Sequence, residues 1–385
     1  MLTRYKIYAS FNELPLGWDA LAKHDVLLQS HYLQAMEEAT PTNIQWFYIG
    51  VFKNEALEGI AIAQRVQLYL KDMFRNTQVS CIKTFFKDVV SRVLKGNILV
   101  VGNLTHTGQH GLFYNPKALL KTEFFEAIFS ALDDITDRIK NNQNKKIRAV
   151  ALKDFFKDDA IHEAKAIFDS ENLHQVYVQP NMILSVRPEW KTFQDYLQSL
   201  NKKYRDRYKR ARKKRNSIKT VEMDLDAIEK HTPELHRFYM NVSNNAKFNT
   251  FVLPENHFYS LKLQLKENFK VFGYYLKGEL VGFFTLILNN EDLETYFLGY
   301  DKAHQYPNQL YLNMLYDMLE FAISNQLKKV VYARTAMEIK SSVGAKSKPM
   351  VVYLKHTNSF LNGIFRLIFK LMNPSEDWQV RHPFK

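Results

Sequence analysis

Residues 269–301 read "FKVFGYYLKGELVGFFTLILNNEDLETYFLGYD" and contain three apolar runs separated by short polar segments. Lys277 and Gly278 divide the first two runs, a pattern that is typical of a β-hairpin. The third run, "DLETYFLGYD" at 292–301, is predicted to be a strand that follows the hairpin. The second half of the chain is therefore predicted to contain a β-sheet built around this stretch.

A second hairpin is predicted near the start of the chain, in "GVFKNEALEG" at 50–59. It shares its spacing with "GYYLKGELVG" at 273–282, because both segments begin and end with glycines nine positions apart (59 − 50 = 282 − 273 = 9). Both segments carry Lys and Glu at the turn. Helical patterns precede both hairpins, and a strand–helix–strand order follows both. This repeated order predicts that the chain contains two similar halves.

The chain has 385 residues, which exceeds the size of one ordinary domain. We predict an N-terminal domain over 1–180 and a C-terminal domain over 181–385. Apolar periodicity predicts helices over 14–39, within 77–94, and over 116–140, 158–169, 225–248, 254–266, 308–325 and 359–372. The last of these is apolar almost all round except for Arg366 and Lys370, so it either packs in a core or lies on a membrane surface.

Positive charge is concentrated in one segment, "NKKYRDRYKRARKKRN" at 201–216. Ten of its residues are Lys or Arg and only Asp206 opposes them, so the segment carries +9 of the chain's net +13 (53 − 40). Apolar and aromatic residues recur every three or four positions from Trp190 to Ala211, which predicts a docked helix over 190–215 with a cationic exposed side.

Three interpretations of the basic helix remain open. Runs of like charge are usually solvated, and the helix then has no ligand. Tyr204 and Tyr208 lie among the cations, which also suits nucleic acid, although no nucleic-acid-binding motif accompanies them. The third interpretation is an anionic ligand, such as a phosphate-bearing cofactor, a nucleotide-linked substrate or a lipid headgroup, since arginine binds phosphate with two parallel hydrogen bonds.

Cysteine and hydropathy patterns exclude several classes of protein. Cys81 is the only cysteine, so a disulfide framework and a thiolate zinc site are both excluded. The N-terminus lacks the apolar run of a signal peptide, and no stretch of about 18 uncharged apolar residues could span a membrane. We expect a cytoplasmic protein with at most peripheral contact at the inner face of the membrane.

Three segments resemble the FemAB-like proteins of the GNAT (acyl-CoA N-acyltransferase) superfamily. "RDRYKRARKKRNSIKTVEM" at 205–223 is similar to a basic segment of that family, with matches at Arg205, Tyr208, Lys209, Arg210 and Ala211. "VVYARTAMEIKSSVGAKSKP" at 330–349 is similar to the family's strand that ends in Gly-Arg-Ser/Thr, with matches at Arg334, Thr335, Lys340 and Gly344. Residues 280–323 look like the GNAT hairpin, central strand and pyrophosphate-side helix.

The resemblance implies two tandem GNAT-like domains of mixed α/β (α+β) class, each a mixed, mostly antiparallel sheet flanked by helices. It implies an N-acyltransferase that moves an acyl group, most directly from an acyl-CoA, to a primary amine. The acceptor would be a small, nucleotide-linked or cell-envelope precursor. Two alternatives are an aminoacyl-tRNA-dependent transferase and a non-catalytic nucleic-acid or tRNA binder. One departure concerns "HQYPNQLYLN" at 304–313, which lacks the glycines that let backbone N–H groups approach a pyrophosphate.

Candidate site residues in the second half follow from the same resemblance. A backbone N–H within Tyr296–Tyr300 would polarise the donor carbonyl, and Tyr300 would line the cleft. Asp301 is the candidate base, although it also suits a carboxylate that approaches a helix or forms a turn. Tyr311 is the candidate acid, although it also suits a core position. The candidates for binding the donor or its phosphates are Lys202, Arg205, Lys209, Arg210, Asn308, Arg334 and Lys340.

The first half contributes the loop "LTHTGQHGLFYNP" at 104–116. Gly108 and Gly111 lie where a GNAT protein has its donor loop, and His106 could act there as a base. His110 is a further cleft candidate, because loops at strand ends commonly hold ligands in α/β folds. Two histidines are too few for a metal site, so no metal is predicted.

Overall fold

The computed structural model describes residues 3–68, 96–245, 249–364 and 378–385. The chain forms two compact units. Unit 1 comprises Met1–Val178, Ala246–Leu253 and Pro349–Ser375, and unit 2 comprises Gln179–Asn245, Pro254–Lys348 and Glu376–Lys385. Cys81, the helix predicted within 77–94 and the last part of the helix predicted over 359–372 lie outside the described residues, whereas 359–364 are helical.

Unit 1 contains a mixed sheet in the order β1-β2-β3-β4-β6-β13, with β5 paired to β3. Its strands are β1 (Thr3–Tyr8), β2 (Ile44–Lys53), β3 (Ala56–Leu68), β4 (Gly96–Val101), β5 (Leu112–Tyr114), β6 (Ile147–Phe156) and β13 (Lys346–His356). The pair β4/β6 is parallel and the other pairs are antiparallel. Because β13 pairs with β6 from Met350 to His356, residues 349–375 belong to unit 1, whereas the predicted boundary placed them in the second domain.

The helices of unit 1 are α1 (Trp18–Leu21), α2 (Ser30–Glu38), α3 (Lys121–Gln143) and α4 (Lys165–Ser170). The single helix predicted over 14–39 is wrong, because Asp25 accepts a hydrogen bond from the Leu27 N–H at 3.0 Å and caps a separate 3-10 turn at Val26–Leu28. Helix α3 buries a continuous apolar stripe against the sheet. The burial of each large apolar side chain stabilises the fold by about 2 kcal/mol. That stripe consists of Phe124, Phe125, Ile128, Leu132 and Ile135.

The strands of unit 2 are ordered β7-β12-β11-β10-β9-β8. Its strands are β7 (His174–Ser185, of which the part from Gln179 lies in unit 2), β8 (Lys219–Glu222), β9 (Phe269–Leu276), β10 (Glu279–Asn289), β11 (Asp292–Tyr300) and β12 (Lys329–Val331). The pair β11/β12 is parallel, and the other pairs are antiparallel. Each unit is therefore a mostly antiparallel sheet with one parallel pair, as predicted.

Both predicted hairpins are confirmed, and both use the same kind of turn. Asn54 and Glu55 connect β2 to β3 with φ values of +48° and +69°, and Lys277 and Gly278 connect β9 to β10 with +54° and +88°. Two successive residues with positive φ are typical of the type I′ turn, whose twist matches that of the strands it joins. The similarity of the two halves thus extends to the backbone of their hairpins.

The helices of unit 2 are α5 (Phe193–Ser199), α6 (Lys202–Arg215), α7 (Leu225–Lys230), α8 (Thr232–Ser243), α9 (His257–Leu265), α10 (Lys302–Asn308), α11 (Leu310–Ser324) and α12 (Met337–Ser342). The predicted helix over 190–215 is two helices, because Leu200 is extended and Asn201 caps α6. The predicted helix over 225–248 is likewise divided, since Pro233 begins a new helix. Within the described residues, every helix is too short or too polar to cross a membrane.

Alternating residues of the unit 2 sheet face two different helical layers. Phe284 packs in the same core as Tyr204 of α6 and Leu315 of α11. Its neighbour Phe283 faces the other layer, where its ring lies 5.1 Å from that of Phe258 in α9. Strand β10 therefore lies between α6 with α11 on one face and α9 on the other.

Candidate active site in unit 2

The parallel strands β11 and β12 separate soon after they meet. They pair only from Asp292–Glu294 to Lys329–Val331, and β11 then continues to Tyr300 while β12 ends. The last described link is the Thr295 hydroxyl, which donates to the Val331 carbonyl at 3.0 Å. A gap between parallel strands at their carboxyl ends is a place where α/β proteins bind ligands. This gap lies beside Tyr296–Tyr300, the segment that sequence analysis selected.

Strand β11 is also distorted at this point. Its pairing with β10 shifts between Leu298 and Thr295, so Tyr296 and Phe297 together oppose Thr285. The Thr285 hydroxyl donates to the Phe297 carbonyl at 2.7 Å and holds this bulge. Bulges re-aim backbone groups and side chains, and they are common next to active sites. The peptide groups beside the gap are therefore turned out of the regular ladder.

Close backbone packing fixes the far end of β11. A Cβ atom on Gly299 would lie 2.4 Å from the Phe238 carbonyl carbon of α8, so only glycine fits there. Asn241, one turn further along α8, donates to the Tyr300 carbonyl at 3.1 Å. Helix α8 thus holds the end of β11 in place while β12 diverges from it.

A buried histidine contacts the bulge. His257, the first residue of α9, is fully buried, and its Nε2 lies 3.0 Å from the phenolic oxygen of Tyr296. The two rings are stacked, with centroids 5.8 Å apart. An imidazole and a phenol joined by a hydrogen bond form a proton relay, because each can donate and accept. Neither side chain was among the candidates that the sequence suggested.

The loop that follows β12 is held in an unusual conformation. Ala333, Thr335 and Ala336 have φ values of +58°, +64° and +47°, a region that costs non-glycine residues about 1 kcal/mol or more each. The ammonium group of Lys340 donates to the Arg334 carbonyl at 2.5 Å and to the Ala333 carbonyl at 3.3 Å. Lys340 is 5% exposed, and burial lowers its pKa to about 7. Lys340 therefore supports the loop from inside instead of reaching a ligand.

Arg334 lies in this loop, three residues beyond the end of β12, and is half-buried. A groove of about 380 Å³ adjoins the same loop and is lined by Arg207, Ala336, Met337, Glu338, Ile339 and Trp378. Arg207 belongs to α6, so the basic helix contributes a guanidinium beside the loop that follows β12. Sequence analysis selected Arg334 but not Arg207.

The junction between α10 and α11 is closed by the protein itself. Gln309 adopts a left-handed conformation, with φ of +48°, and supplies the turn that a glycine would make. The Gln305 side-chain oxygen accepts a hydrogen bond at 3.0 Å from the backbone N–H of Tyr311, in the first turn of α11. Asn308 is buried and donates to the Lys214 carbonyl at 3.1 Å, so it joins α10 to α6. The junction therefore does not present Asn308 or the Tyr311 N–H to a phosphate.

Helix α6 is attached to α11 through arginines. Arg212 and Arg215 both contact Asp317, at 2.6 and 3.4 Å, and the guanidinium of Arg212 also lies over the ring of Tyr208. Burial alone would lower the pKa of Arg212, but Asp317 and Tyr208 raise it overall, so the group stays charged. Burial raises the pKa of the nearby Glu320 carboxyl, and Arg212 opposes that shift. Part of the basic segment thus serves packing.

The remaining cations of α6 divide into two sets. Arg205 turns back and donates to the Leu200 carbonyl, which ties the start of α6 to the residues that follow α5. The exposed side of α6 carries Lys202, Lys203, Lys209, Arg210, Lys213 and Lys214. This exposed set contains three of the four predicted phosphate-binding residues of the basic segment.

The three remaining candidates of unit 2 are Asp301, Tyr300 and Tyr311, and each contacts other residues of the protein. Asp301 accepts a hydrogen bond from the Ala303 N–H at 2.8 Å and caps α10. Tyr300 and Tyr311 are partly buried against the core, and burial raises the pKa of both phenols. Both phenols are therefore neutral at pH 7.

The two candidate histidines of the first half, His106 and His110, belong to unit 1. His110 Nδ1 lies 2.7 Å from the Asp25 carboxylate, and the two histidine rings are 5.1 Å apart. His106 is buried, and its backbone carbonyl accepts a hydrogen bond from Lys153 at 2.7 Å. These contacts fix the loop that follows β4.

Known proteins resemble the chain in structure and not in sequence. No protein-family model matches it, and no curated protein matches it in sequence. The solved structure of FemX matches with a TM-score of 0.55 at 11% identity, over 95% of this chain and 100% of FemX. The chain has a FemAB-like fold. This result confirms the fold that the three sequence segments implied.

Two further solved structures match the chain at lower scores. A tandem GNAT protein from the clavulanic acid biosynthesis pathway has a TM-score of 0.49 and 8% identity, over 93% of this chain and 99% of that protein. L-PGS from Bacillus licheniformis has a TM-score of 0.47 and 10% identity, over 89% and 95%. Neither match identifies a substrate.

Proposed function

We propose that this FemAB-like chain is an N-acyltransferase whose reaction takes place beside β11 in unit 2. The observation that carries the proposal is the three-residue pairing of β11 with β12, after which β12 ends and β11 continues past a bulge at Tyr296 and Phe297. An acyl group held in such a gap would meet backbone N–H groups directed at its carbonyl oxygen. Fixed donors of this kind stabilise the negative charge that develops during acyl transfer.

The reaction requires one proton transfer in each direction. The amine nitrogen attacks the carbonyl carbon, a C–N bond forms, and the C–S or C–O bond to the leaving group breaks. We assign the proton lost by the amine to His257, through the phenol of Tyr296 that lies 3.0 Å from its Nε2. The same relay returns the proton to the leaving thiolate or alkoxide, so the pair ends the cycle unchanged.

The donor is an activated acyl group with an anionic portion, either an acyl-CoA or an aminoacyl ester. The Tyr311 N–H at the start of α11 already donates a hydrogen bond to the Gln305 side chain. We therefore assign the anionic portion of the donor to side-chain cations and not to a helix start. Arg334 and Arg207 are suitable, since one lies in the loop after β12 and the other lines the groove beside that loop. The acceptor is a primary amine.

A second candidate function concerns the exposed side of α6. Six cations there, with Asp206 as the only acid of the helix, favour a donor attached to a nucleic acid, such as an aminoacyl-tRNA. Binding through phosphates weakens steeply with salt. The double substitution Lys209→Gln with Arg210→Gln should flatten the dependence of tRNA affinity on salt, whereas Lys145→Gln with Lys146→Gln in unit 1 should not. Equal slopes for the two double variants would remove this candidate.

Thermal-shift measurements with acetyl-CoA, free CoA, aminoacyl-tRNA and UDP-sugars test the donor assignment. Arg334→Ala should abolish the shift produced by the true donor. Lys329→Ala is a matched control, because it removes one positive charge from the opposite end of β12, where Lys329 contacts Asp292 at 3.0 Å. If Arg334→Ala retains the full shift, the donor site lies elsewhere.

A further inference from the structure

Unit 1 contains a cavity of about 290 Å³ at the carboxyl ends of its own parallel pair, β4 and β6. Val101 at the end of β4 and Phe155 near the end of β6 both line it. The loop that follows β4 closes one side, and Lys121 at the start of α3 closes another. This cavity occupies the place in unit 1 that corresponds to the gap between β11 and β12 in unit 2.

Aromatic rings form much of the wall. Phe113, Tyr114, Phe125 and Phe155 all line the cavity. His24 lies at its edge, with its ring 3.9 Å from that of Phe113. Burial lowers the pKa of His24, so this ring adds no positive charge at neutral pH. Faces of aromatic rings attract cations through their quadrupoles.

Both lysines of the wall are neutralised by carboxylates of unit 1. Lys153 lies 2.5 Å from Asp154, which is fully buried and accepts a further hydrogen bond from the Gly108 N–H at 3.3 Å. Asp154 has a φ of +66°, at the point where the pairing of β6 with β13 is irregular. A strained backbone conformation persists where the surrounding structure requires it. At Asp154 this conformation places the carboxylate beside Lys153. Lys121 lies 2.6 Å from Glu163.

The carboxylate of Asp159 also lines the cavity, and among the described residues it accepts hydrogen bonds only from uncharged groups. Its Oδ2 accepts a hydrogen bond from the Gln109 side chain at 2.7 Å, and its Oδ1 accepts one from the Ile161 N–H at 2.7 Å. No ion pair to Asp159 is present among the described residues of unit 1. Counted together with Asp154 and Glu163, the partners of the two lysines, the charged groups at the cavity are two cations and three carboxylates, which gives a net charge of −1 (2 − 3).

An anion is disfavoured at the adjacent helix start as well. The carboxylate of Glu123 accepts a hydrogen bond from the Leu120 N–H at 2.9 Å and pairs with Lys53 at 2.7 Å. That carboxylate lies where a phosphate would otherwise meet the positive end of the helix dipole. The start of this helix is therefore already matched by a carboxylate of the protein, and a phosphate would gain little from the helix dipole.

We propose that the unit 1 cavity binds a small organic cation, an ammonium group on an apolar body. The ammonium pairs with Asp159, and the body lies among the four aromatic rings. This site is distinct from the acyl-transfer site proposed for unit 2 and does not depend on it.

The test uses three probes of equal size on the full chain, with binding read by isothermal titration calorimetry at pH 7. Benzylamine should bind, whereas benzyl alcohol should bind at least tenfold more weakly and benzoate should give no heat. This charge preference of the unmodified protein needs no variant. Benzoate affinity equal to that of benzylamine, or no binding of benzylamine, would overturn the proposal.

Asp159→Asn locates the effect, because asparagine keeps an Oδ1 that can accept from the Ile161 N–H and removes the charge. This substitution should lower the affinity for benzylamine at least tenfold. Asp158→Asn, at the exposed neighbouring carboxylate, is the matched control and should leave the affinity unchanged. Equal affinities for the two variants would show that Asp159 does not hold the ammonium. Acyl transfer, if present, should persist in both variants, so the two proposals fail separately.

Discussion

Replacing Lys340 should change how the stability of the protein depends on pH. The lysine is 5% exposed, its hydrogen-bond partners are two backbone carbonyls, and burial lowers its pKa from 10.5 to about 7. The unfolded chain therefore binds more protons than the folded chain between about pH 7 and pH 10. Stability consequently rises with pH across this window, at up to about 1.4 kcal/mol per pH unit.

The magnitude follows from the two pKa values. Raising the pH from 7 to 9 should increase the free energy of unfolding by about 2 kcal/mol through this group alone, since near pH 7 the folded lysine is already half deprotonated. Lys340→Met removes the titration but also removes the bonds to the loop, a loss that does not vary with pH. The difference in stability between the natural protein and Lys340→Met should therefore shift by about 2 kcal/mol in favour of the natural protein.

Equilibrium urea unfolding at pH 7, 8 and 9, followed by tryptophan fluorescence, measures this difference. Lys346→Met is the matched control, because Lys346 is exposed, and its difference from the natural protein should stay constant. A constant difference for Lys340→Met as well would refute the reasoning, since it would mean that the ammonium is hydrated in the folded protein.

Three further predictions concern packing and catalysis. Asp317→Asn should lower the free energy of unfolding in urea by about 2–4 kcal/mol, because it leaves Arg212 and Arg215 without their shared carboxylate. Glu320→Gln, at a half-exposed carboxylate, should lower it by less than about 1 kcal/mol. Equal losses for the two variants would contradict the docking of α6 onto α11. Gly299→Ala should lower stability by about 1–3 kcal/mol, since its Cβ would lie 2.4 Å from the α8 backbone, and an unchanged melting temperature would count against that contact. Tyr296→Phe should lower kcat about 100-fold while donor affinity and melting temperature stay unchanged, and unchanged kcat would exclude the relay.

Local sequence patterns predicted much of the fold. The two hairpins follow from glycine spacing and turn residues, and their type I′ geometry at Asn54–Glu55 and Lys277–Gly278 agrees with that prediction. The docked basic helix follows from apolar residues at helical spacing, and Tyr204 and Ala211 are indeed buried. These signals are short-range, so a single sequence contains them.

Features set by contacts distant in sequence could not be predicted in the same way. His257 and Tyr296 are 39 residues apart, and nothing in either segment indicates that the two side chains meet. Arg212 resembles its neighbours in sequence, but Asp317, 105 residues later, makes it a packing residue. The loop at Ala333 adopts a left-handed conformation without glycine, because Lys340 binds its carbonyl from inside.

Candidate residues beside breaks in helices were the least predictable. The resemblance made Asn308 a candidate for phosphate binding, whereas its side chain joins α10 to α6. The break itself comes from Gln309 in a left-handed conformation, which sequence patterns associate with glycine. A cap, a kink and a ligand site use the same polar residues, and tertiary packing decides among them.

Mass spectrometry of the reaction product tests acyl transfer beside β11 most directly. The protein would be incubated with a panel of primary amines and either acetyl-CoA or aminoacyl-tRNA, in parallel with Tyr296→Phe and Arg334→Ala. We predict an N-acylated amine from one donor class, with about 100-fold less product from Tyr296→Phe at saturating donor. Product formed equally by all three proteins, or by none of them with either donor, would contradict the account.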